Sequence, residues 1–143
     1  MSIPLEELLD QVRLLWHVAV QAGERLHQGE AVTLGGRAVL EFLEANGPTT
    51  VPEVARRRHV TRQHIQALVN VLLDLGLVAL DVNPAHRRSA LVRLTAEGER
   101  AIARMRKRER RLLEGLAVRA SQEELRRAAA VLAEVRGALG GRP

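Results

Sequence analysis

Residues 61–76 constrain the fold of this chain more than any other stretch of its sequence. The stretch starts with Thr61, whose hydroxyl can cap a helix, and ends with Gly76, which can adopt the left-handed conformation that closes one. Between them four apolar residues recur at helical spacing: Ile65, Leu68, Val69 and Leu72. The sequence therefore predicts an amphipathic helix with one face on a core.

The other face of this helix is polar in an unusual way. It carries Arg62, Gln63, Gln66 and Asn70, whereas an ordinary solvated face is dominated by Glu, Lys and Arg. Arginine and side-chain amides make paired hydrogen bonds to base edges in the major groove of DNA. Taken alone, the face fits DNA recognition and a polar surface without a partner equally well, so the flanking sequence has to decide.

The residues before this helix predict a second, shorter one. Thr50 and Glu53 have the spacing of a capping box, and Pro52 is tolerated in a first helical turn. Residues 54–55 are apolar and face inward, and three arginines at 56–58 either lie in solvent or hold phosphates. Two helices separated by a tight turn form a helix-turn-helix pattern.

The residues after Gly76 change to a strand pattern. Residues 77–82 and 90–94 are β-prone, a turn signal lies at 83–84, and the basic segment 85–89 forms the tip of the predicted hairpin. A hairpin directly after a recognition helix is a wing, and a basic tip can place an arginine in a minor groove. The alternative for the tip is a loop of solvated arginines.

Together these motifs resemble the winged helix-turn-helix of the MarR family of bacterial transcription regulators. The resemblance rests on Gly-Pro-Thr-Thr-Val-Pro-Glu-Val-Ala at 47–55, Val-Thr-Arg-Gln-His-Ile at 60–65, Gly-Leu-Val at 76–78, Asn-Pro at 83–84, His-Arg-Arg at 86–88 and Leu-Val-Arg-Leu-Thr-Ala-Glu-Gly at 91–98. One position departs from the family pattern. His86 stands where the family usually has an aspartate that orients the wing arginine, which here is Arg88.

Helical patterns flank the motif on both sides. Residues 3–28 form an acidic helix whose apolar set is wide enough for contact with its own domain and with another chain, and Thr33 caps the helix that follows. Thr95 caps a helix with an arginine-rich stretch at 104–111, which touches DNA flanks, balances the acidic first helix across a dimer, or lies in water. A capping box at 121–124 starts the last helix. The apolar surface of these arms predicts a homodimer.

The predicted fold is mainly α with a small β-hairpin wing. Residues 1–32 form an N-terminal dimerisation helix, residues 33–95 a winged helix-turn-helix DNA-binding domain, and residues 96–143 the C-terminal dimerisation helices. The predicted function is that of a sequence-specific double-stranded DNA-binding transcriptional regulator that acts as a homodimer, with repression favoured over activation. Its candidate DNA-binding residues are Thr61, Arg62, Gln63, His64, Gln66, Arg87 and Arg88.

Two other interpretations stay open. In one, the winged helix is a protein-interaction module that has lost DNA binding, an alternative that His86 raises. In the other, the protein is a metal-responsive regulator that uses its histidines. For the regulator, the family resemblance also implies a small apolar or phenolic effector between the first helix and the winged domain.

Composition excludes several other classes of function and binding site. The net charge of +5 favours polyanionic partners, and the absence of cysteine excludes disulfides and thiolate metal sites. Without tyrosine, and with one Trp and one Phe, the chain lacks a stacking platform for single-stranded bases. The histidines have no metal-binding spacing and no nucleophile or phosphate-loop motif is present, so we expect no catalytic, cofactor or metal site. No secretory signal or membrane-length apolar run is seen, and we expect a cytoplasmic protein.

Overall fold

The computed structural model describes residues 3–140, so the outer ends of the predicted segments 1–32 and 96–143 lie outside it. The helices are α1 (Pro4–Leu26), α2 (Leu34–Asn46), α3 (Val51–Arg58), α4 (Arg62–Asp74), α5 (Ala96–Glu114) and α6 (Gln122–Leu139). The strands are β1 (Thr49–Thr50), β2 (Val78–Asp81) and β3 (Leu91–Leu94). The predicted fold class is confirmed.

Most of the predicted helix caps are present. The hydroxyl oxygens of Thr33, Thr61 and Thr95 each accept a hydrogen bond, at 3.1 Å, from the backbone N–H three residues later. Ser121 and Glu124 form the complete capping box of α6. These caps depend only on neighbours three residues apart, which is why sequence spacing was enough to find them.

The capping box predicted for α3 is only half formed. Thr50 Oγ1 accepts a hydrogen bond from the backbone N–H of Glu53 at 3.3 Å. The Glu53 carboxylate, however, does not accept the second bond of the box from the backbone N–H of Thr50. It accepts instead from Nε and Nη2 of Arg56, at 3.0 and 2.5 Å. A bidentate, charge-assisted pair is stronger than a bond to a neutral N–H, so Arg56 displaces the second half of the box.

The sheet has one strand more than the predicted hairpin. Its order is β1-β3-β2, and both pairings are antiparallel, with Thr49 opposite Val92 and Val78 opposite Leu94. Strand β1 is only two residues long, so no alternation of apolar and polar residues marks it in the sequence. It ties the start of α3 to the wing.

The core lies beneath α4 and fixes its orientation. Ile65, Val69 and Leu72 on the inner side of α4 are each 1% exposed. They belong to one buried cluster with residues from α2, α3, β2, β3 and α5. The largest fully buried side chains include Leu40, Leu43, Ile102 and Met105. Helix α4 is therefore held by its inner face alone.

The first turn of α5 is fastened to the base of the wing. Thr95 donates from Oγ1 to the carbonyl oxygen of Gly76 at 2.7 Å and from its backbone N–H to that of Leu77 at 3.1 Å. A Cβ on Gly98 would lie 2.2 Å from the Leu77 carbonyl oxygen, so only glycine fits there. The junction between α4, β2 and α5 is consequently close-packed at backbone level.

Contacts divide the chain after Leu112 into two units. The first holds α1 to α4, the sheet and most of α5, and the second holds the last residues of α5 and all of α6. Helices α1 and α6 have no buried residue. The predicted limits at residues 33–95 and 96–143 stay predictions, since α5 crosses the division.

Candidate nucleic-acid interface

A groove of about 500 Å³ runs between α4, the start of α3 and the wing. Its lining residues are Val51, Pro52, Arg62, Gln63, Gln66, Leu80, Arg88, Ser89, Ala90 and Val92. The groove thus brings together the two glutamines and two of the arginines predicted from sequence. Thr61, His64 and Arg87 are exposed but do not line it.

The start of α4 is positioned by the turn that follows α3. His59 adopts a left-handed conformation with φ of 56°, and the backbone N–H of Val60 donates to the carbonyl oxygen of Ala55 at 3.1 Å. This closes α3 and sends the chain directly to Thr61, the cap of α4. The polar residues of the first turns of α4 are exposed as predicted: Arg62, Gln63, His64, Gln66 and Asn70.

The tip of the wing is shaped by short-range hydrogen bonds. The side-chain oxygen of Asn83 accepts a hydrogen bond from the backbone N–H of Ala85 at 3.1 Å. The backbone carbonyl oxygen of Asn83 accepts from the backbone N–H of His86 at 3.2 Å. The N–H of Ser89 then donates to the carbonyl oxygen of His86 at 3.1 Å. Arg87 and Arg88 project from this tip and are exposed.

The acidic residue of strand β2 does not serve the wing arginines. Asp81 accepts from Nε of Arg93, across the hairpin, at 2.8 Å. His86 occupies the position where the resemblance leads one to expect an aspartate, and within residues 3–140 Arg88 has no acidic partner. Among residues 3–140, no carboxylate therefore orients Arg88.

The arginines of residues 33–95 fall into two groups. Those with partners in the chain are Arg37 with Glu41 and Glu109, Arg56 with Glu53, Arg57 with Asn46 and the Phe42 ring, Arg58 with the Ala38 carbonyl, and Arg93 with Asp81. Within the part of the chain that the structure describes, the side chains of Arg62, Arg87 and Arg88 make no hydrogen bond or ion pair. These three are the arginines predicted to contact DNA. The run at 56–58, for which solvent and phosphate contact were both open, has partners inside the chain.

One hydrogen bond on the exposed face of α4 was missed by the sequence reasoning. Gln66 Nε2 donates to Asn70 Oδ1 at 2.9 Å, one helical turn away. Both side chains are exposed, and only Gln66 lines the groove. The spacing of two amides four residues apart was the available signal.

A buried histidine joins the end of α1 to α2 and α5. His27 is 6% exposed, and its Nε2 lies 3.0 Å from Oε1 of Glu109, which also pairs with Arg37. Burial is the main cause that lowers the pKa of His27, and the cations Arg37 and Arg108 add to it, while Glu30 opposes them. Burial thus disfavours the protonated imidazole. In the contact with Glu109 the carboxylate oxygen is the acceptor.

Among residues 3–140 no group of three or more His, Cys, Asp or Glu side chains is placed to hold a metal ion. In the same range no helix combines the length and apolar character needed to cross a membrane.

Comparison with known proteins identifies similar sequences and folds. Residues 37–89 match the sequence model of the MarR family. An uncharacterised protein of Mycobacterium tuberculosis is 49% identical over 53 residues, which is 37% of this chain and 37% of that protein, so the match spans about a third of this relative's length.

Solved structures match over nearly the whole chain. A crystal structure of a MarR family transcription regulator has a TM-score of 0.80 and 32% identity, covering 92% of this chain and 88% of that one. The structure of Staphylococcus aureus MarR with salicylate and kanamycin has a TM-score of 0.84 at 15% identity, covering 94% and 91%. At that low identity the second match shows the fold alone.

Proposed function

Because the chain belongs to the MarR family of transcription regulators, we propose that it binds double-stranded DNA sequence-specifically as a homodimer and represses transcription. The observation that carries the proposal is the groove beside α4. There Arg62 and Arg88, which have no partner in the described chain, converge with Gln63 and Gln66. No catalytic step forms part of the proposal. Such a repressor acts in the cytoplasm, where its DNA lies.

Helix α4 would enter the major groove with its outer face toward the bases. Arginine pairs with O6 and N7 of guanine, and glutamine with N6 and N7 of adenine, so Arg62, Gln63 and Gln66 suit base recognition. His64 lies in the same turn. Thr61 caps the helix through its oxygen and keeps its hydroxyl proton free to donate to a phosphate.

The wing would reach the adjacent minor groove. Arg87 and Arg88 are exposed at a tip built by backbone turns, and a narrow minor groove attracts arginine through its negative potential. A contact of this kind reads groove shape more than base identity, so the wing adds affinity while α4 sets the sequence.

The dimer is supported by apolar surface on the outer helices. Helix α1 exposes Leu14, Leu15, Trp16 and Val18, and α6 exposes Leu125, Val131, Leu132 and Leu139. A second copy would cover such faces. In a two-fold dimer the two α4 helices would enter major grooves about 34 Å apart on a pseudo-palindromic site.

We propose further that a small apolar or phenolic molecule releases the repressor. The S. aureus protein of the same fold was solved with salicylate, a phenolic acid. In this chain a hollow of about 420 Å³ lies between the end of α1 and the start of α2. A ligand between α1 and the winged domain would change the spacing of the two α4 helices. Titration of the DNA complex with salicylate should lower the bound fraction, and a bound fraction unchanged by any phenolic acid tried would refute this part.

The test of DNA binding starts with selection of duplexes from a random pool at a stated salt concentration. Gel shifts on the selected site then compare the wild type with Arg62→Ala and Arg88→Ala. Arg62→Ala should lower affinity for the selected site about fivefold or more, since a bidentate base contact is worth about 1–3 kcal/mol. Arg88→Ala removes a minor-groove contact and should weaken binding with less effect on sequence preference. Arg25→Ala removes the same charge from α1 and is the matched control. Unchanged affinity in both groove variants, with the dimer intact, would defeat the proposal.

A second candidate function rests on the wing. Because His86 stands at the aspartate position and Arg88 has no acidic partner within residues 3–140, the alternative is a protein-interaction module that has lost DNA binding. It requires the absence of salt-dependent duplex binding. A steep fall in duplex affinity between about 50 and 200 mM salt would count against it.

A further inference from the structure

Gln66 and Asn70 form a pair of amides on the outer face of α4. Nε2 of Gln66 donates to Oδ1 of Asn70 at 2.9 Å, and both side chains are otherwise exposed. Gln66 lines the groove beside the wing, whereas Asn70 lies one turn further along and does not. Asn70 is therefore placed to act on a bound duplex through Gln66. This inference rests on the proposed DNA-binding function.

The hydrogen-bonding capacity of an amide explains why the partner matters. Gln66 has one carbonyl oxygen and two N–H donors, one on the same side as the oxygen and one directed away from it. When Asn70 accepts from the N–H that is directed away from the oxygen, the oxygen and the remaining N–H form one free edge of the Gln66 amide. That edge matches adenine in the major groove, where N6 donates and N7 accepts.

The same edge discriminates against guanine. Guanine presents two acceptors, N7 and O6, so the fixed oxygen of Gln66 would face O6, acceptor against acceptor. An unconstrained glutamine can rotate its amide and offer N–H groups to guanine instead. A glutamine held by a neighbour loses that freedom before the duplex arrives, and less conformational entropy is lost on binding.

We propose that Asn70 is a positioning residue that orients the Gln66 amide, so that Gln66 selects adenine over guanine at one base pair of each half-site. Asn70 itself touches no base. Its Oδ1 accepts the outward-directed proton of Gln66 and leaves the adenine-reading edge free.

The experiment uses the full-length protein and a library of duplexes built on the selected site, with every base pair varied at one fixed salt concentration. Gln66→Ala identifies the base pair that Gln66 reads, because preference is lost at that position. The readout is the ratio of affinities for adenine and guanine at this base pair, which we expect to be about tenfold in the wild type, on the order of one good base contact.

Two substitutions of Asn70 form a matched pair. Asn70→Ala removes the acceptor and should reduce the ratio to about threefold or less at this base pair alone, because an unheld amide accommodates guanine. Asn70→Asp keeps an oxygen that accepts the same bond and should restore most of the ratio. Its added negative charge lowers affinity for every duplex by a similar factor, so this effect cancels in the ratio.

Each outcome decides the proposal. A purely structural role for Asn70 would weaken binding to all duplexes and leave the ratio unchanged, and that result overturns the inference. So does a Gln66→Ala variant that keeps every base preference, or an Asn70→Asp variant that behaves like Asn70→Ala. A wild-type protein that binds no duplex refutes the proposed function itself, which is a distinguishable result.

Discussion

Helices α1 and α4 lie in the same unit of the chain, and each exposes a face, but the exposed faces have opposite chemistry. The face of α1 carries large apolar side chains, with Leu15 at 64% and Trp16 at 67% exposure. The face of α4 carries Arg62, Gln63 and Gln66. Apolar surface of this kind is stabilised by another protein surface, whereas exposed donors and acceptors suit base edges and phosphates.

The two helices also differ in what lies behind the exposed face. Helix α4 has three nearly inaccessible residues on its inner side, and α1 has no buried residue at all. The position of α4 is thus determined within the chain, so its outer face is free to be specialised for binding. In the proposed dimer, the exposed apolar face of α1 would be buried by the second chain. The functional meaning of an exposed residue therefore depends on how its helix is anchored to the core.

The inner face of α4 should give the largest effect. Ile65→Ala removes a side chain that is 1% exposed and should lower the free energy of unfolding by about 2–5 kcal/mol, because it leaves a cavity in the core. Gln63→Ala, on the outer face, should change it by less than about 0.5 kcal/mol. Urea denaturation measures both, and equal losses would contradict the division of α4 into two faces.

The apolar face of α1 should control assembly. Leu15→Glu places a charge where a second chain is proposed to pack and should shift the protein from dimer to monomer in analytical ultracentrifugation. Affinity for the full site should fall about 100-fold, because the two half-sites are no longer bound by one linked particle. Gln21→Glu adds the same charge at another exposed position of α1 and serves as the control. A Leu15→Glu variant that stays dimeric would remove α1 from the interface.

The buried histidine at the end of α1 should make the free energy of unfolding depend on pH. The fold holds the pKa of His27 below its ordinary value of 6.5, chiefly through burial. Below pH 6.5 the unfolded chain takes up a proton that the folded protein does not bind until its lower pKa is reached. The free energy of unfolding should therefore fall as the pH is lowered through this window.

Denaturation midpoints at pH 7.5, 6.5 and 5.5 test this expectation against His27→Gln, which does not titrate and should lose part of the pH dependence. Gln28→Ala changes an exposed, non-titrating neighbour of His27 and should retain the wild-type dependence. Identical profiles for the wild type and His27→Gln would show that folding does not lower the pKa of His27.

The smallest effect is expected at the turn before α4. His59→Gly relieves a left-handed conformation that glycine adopts without steric cost, and it should raise stability by at most about 1 kcal/mol. Ala67→Gly, at an exposed helical position of α4, should instead lower stability by about 1 kcal/mol. Thermal denaturation distinguishes the two signs, and a loss of stability in both variants would show that His59 is not strained.

Local features of this fold could be predicted from the sequence because their causes lie a few residues apart. The caps at Thr61 and Thr95 depend on N–H groups three residues away, and the two faces of α4 follow from helical periodicity. The same holds for the hairpin, whose turn residues stand next to one another at 83–84. The exposure of the predicted DNA-binding residues followed from these elements, while their contact with DNA remains a prediction.

Features that depend on distant partners could not be predicted. Strand β1 exists only because Thr49 and Thr50 pair with β3, and His27 meets Glu109 across 82 positions of sequence. No sequence pattern indicates that Arg57 stacks on Phe42 and bonds to Asn46. Tertiary packing decides which arginines have no partner within the chain and can bind a ligand. Sequence spacing alone contains no information on that packing.

The close packing of Gly98 against the Leu77 carbonyl has a mechanical consequence. Since backbone lies on backbone there, with Thr95 bonded to both Gly76 and Leu77, the junction leaves no compliant segment between α5 and the wing. A tilt of α5 about its first turn must turn β2 with it. The four residues of β2, roughly 13 Å long, then carry the tilt to the base of the tip, where residues 82–90 begin.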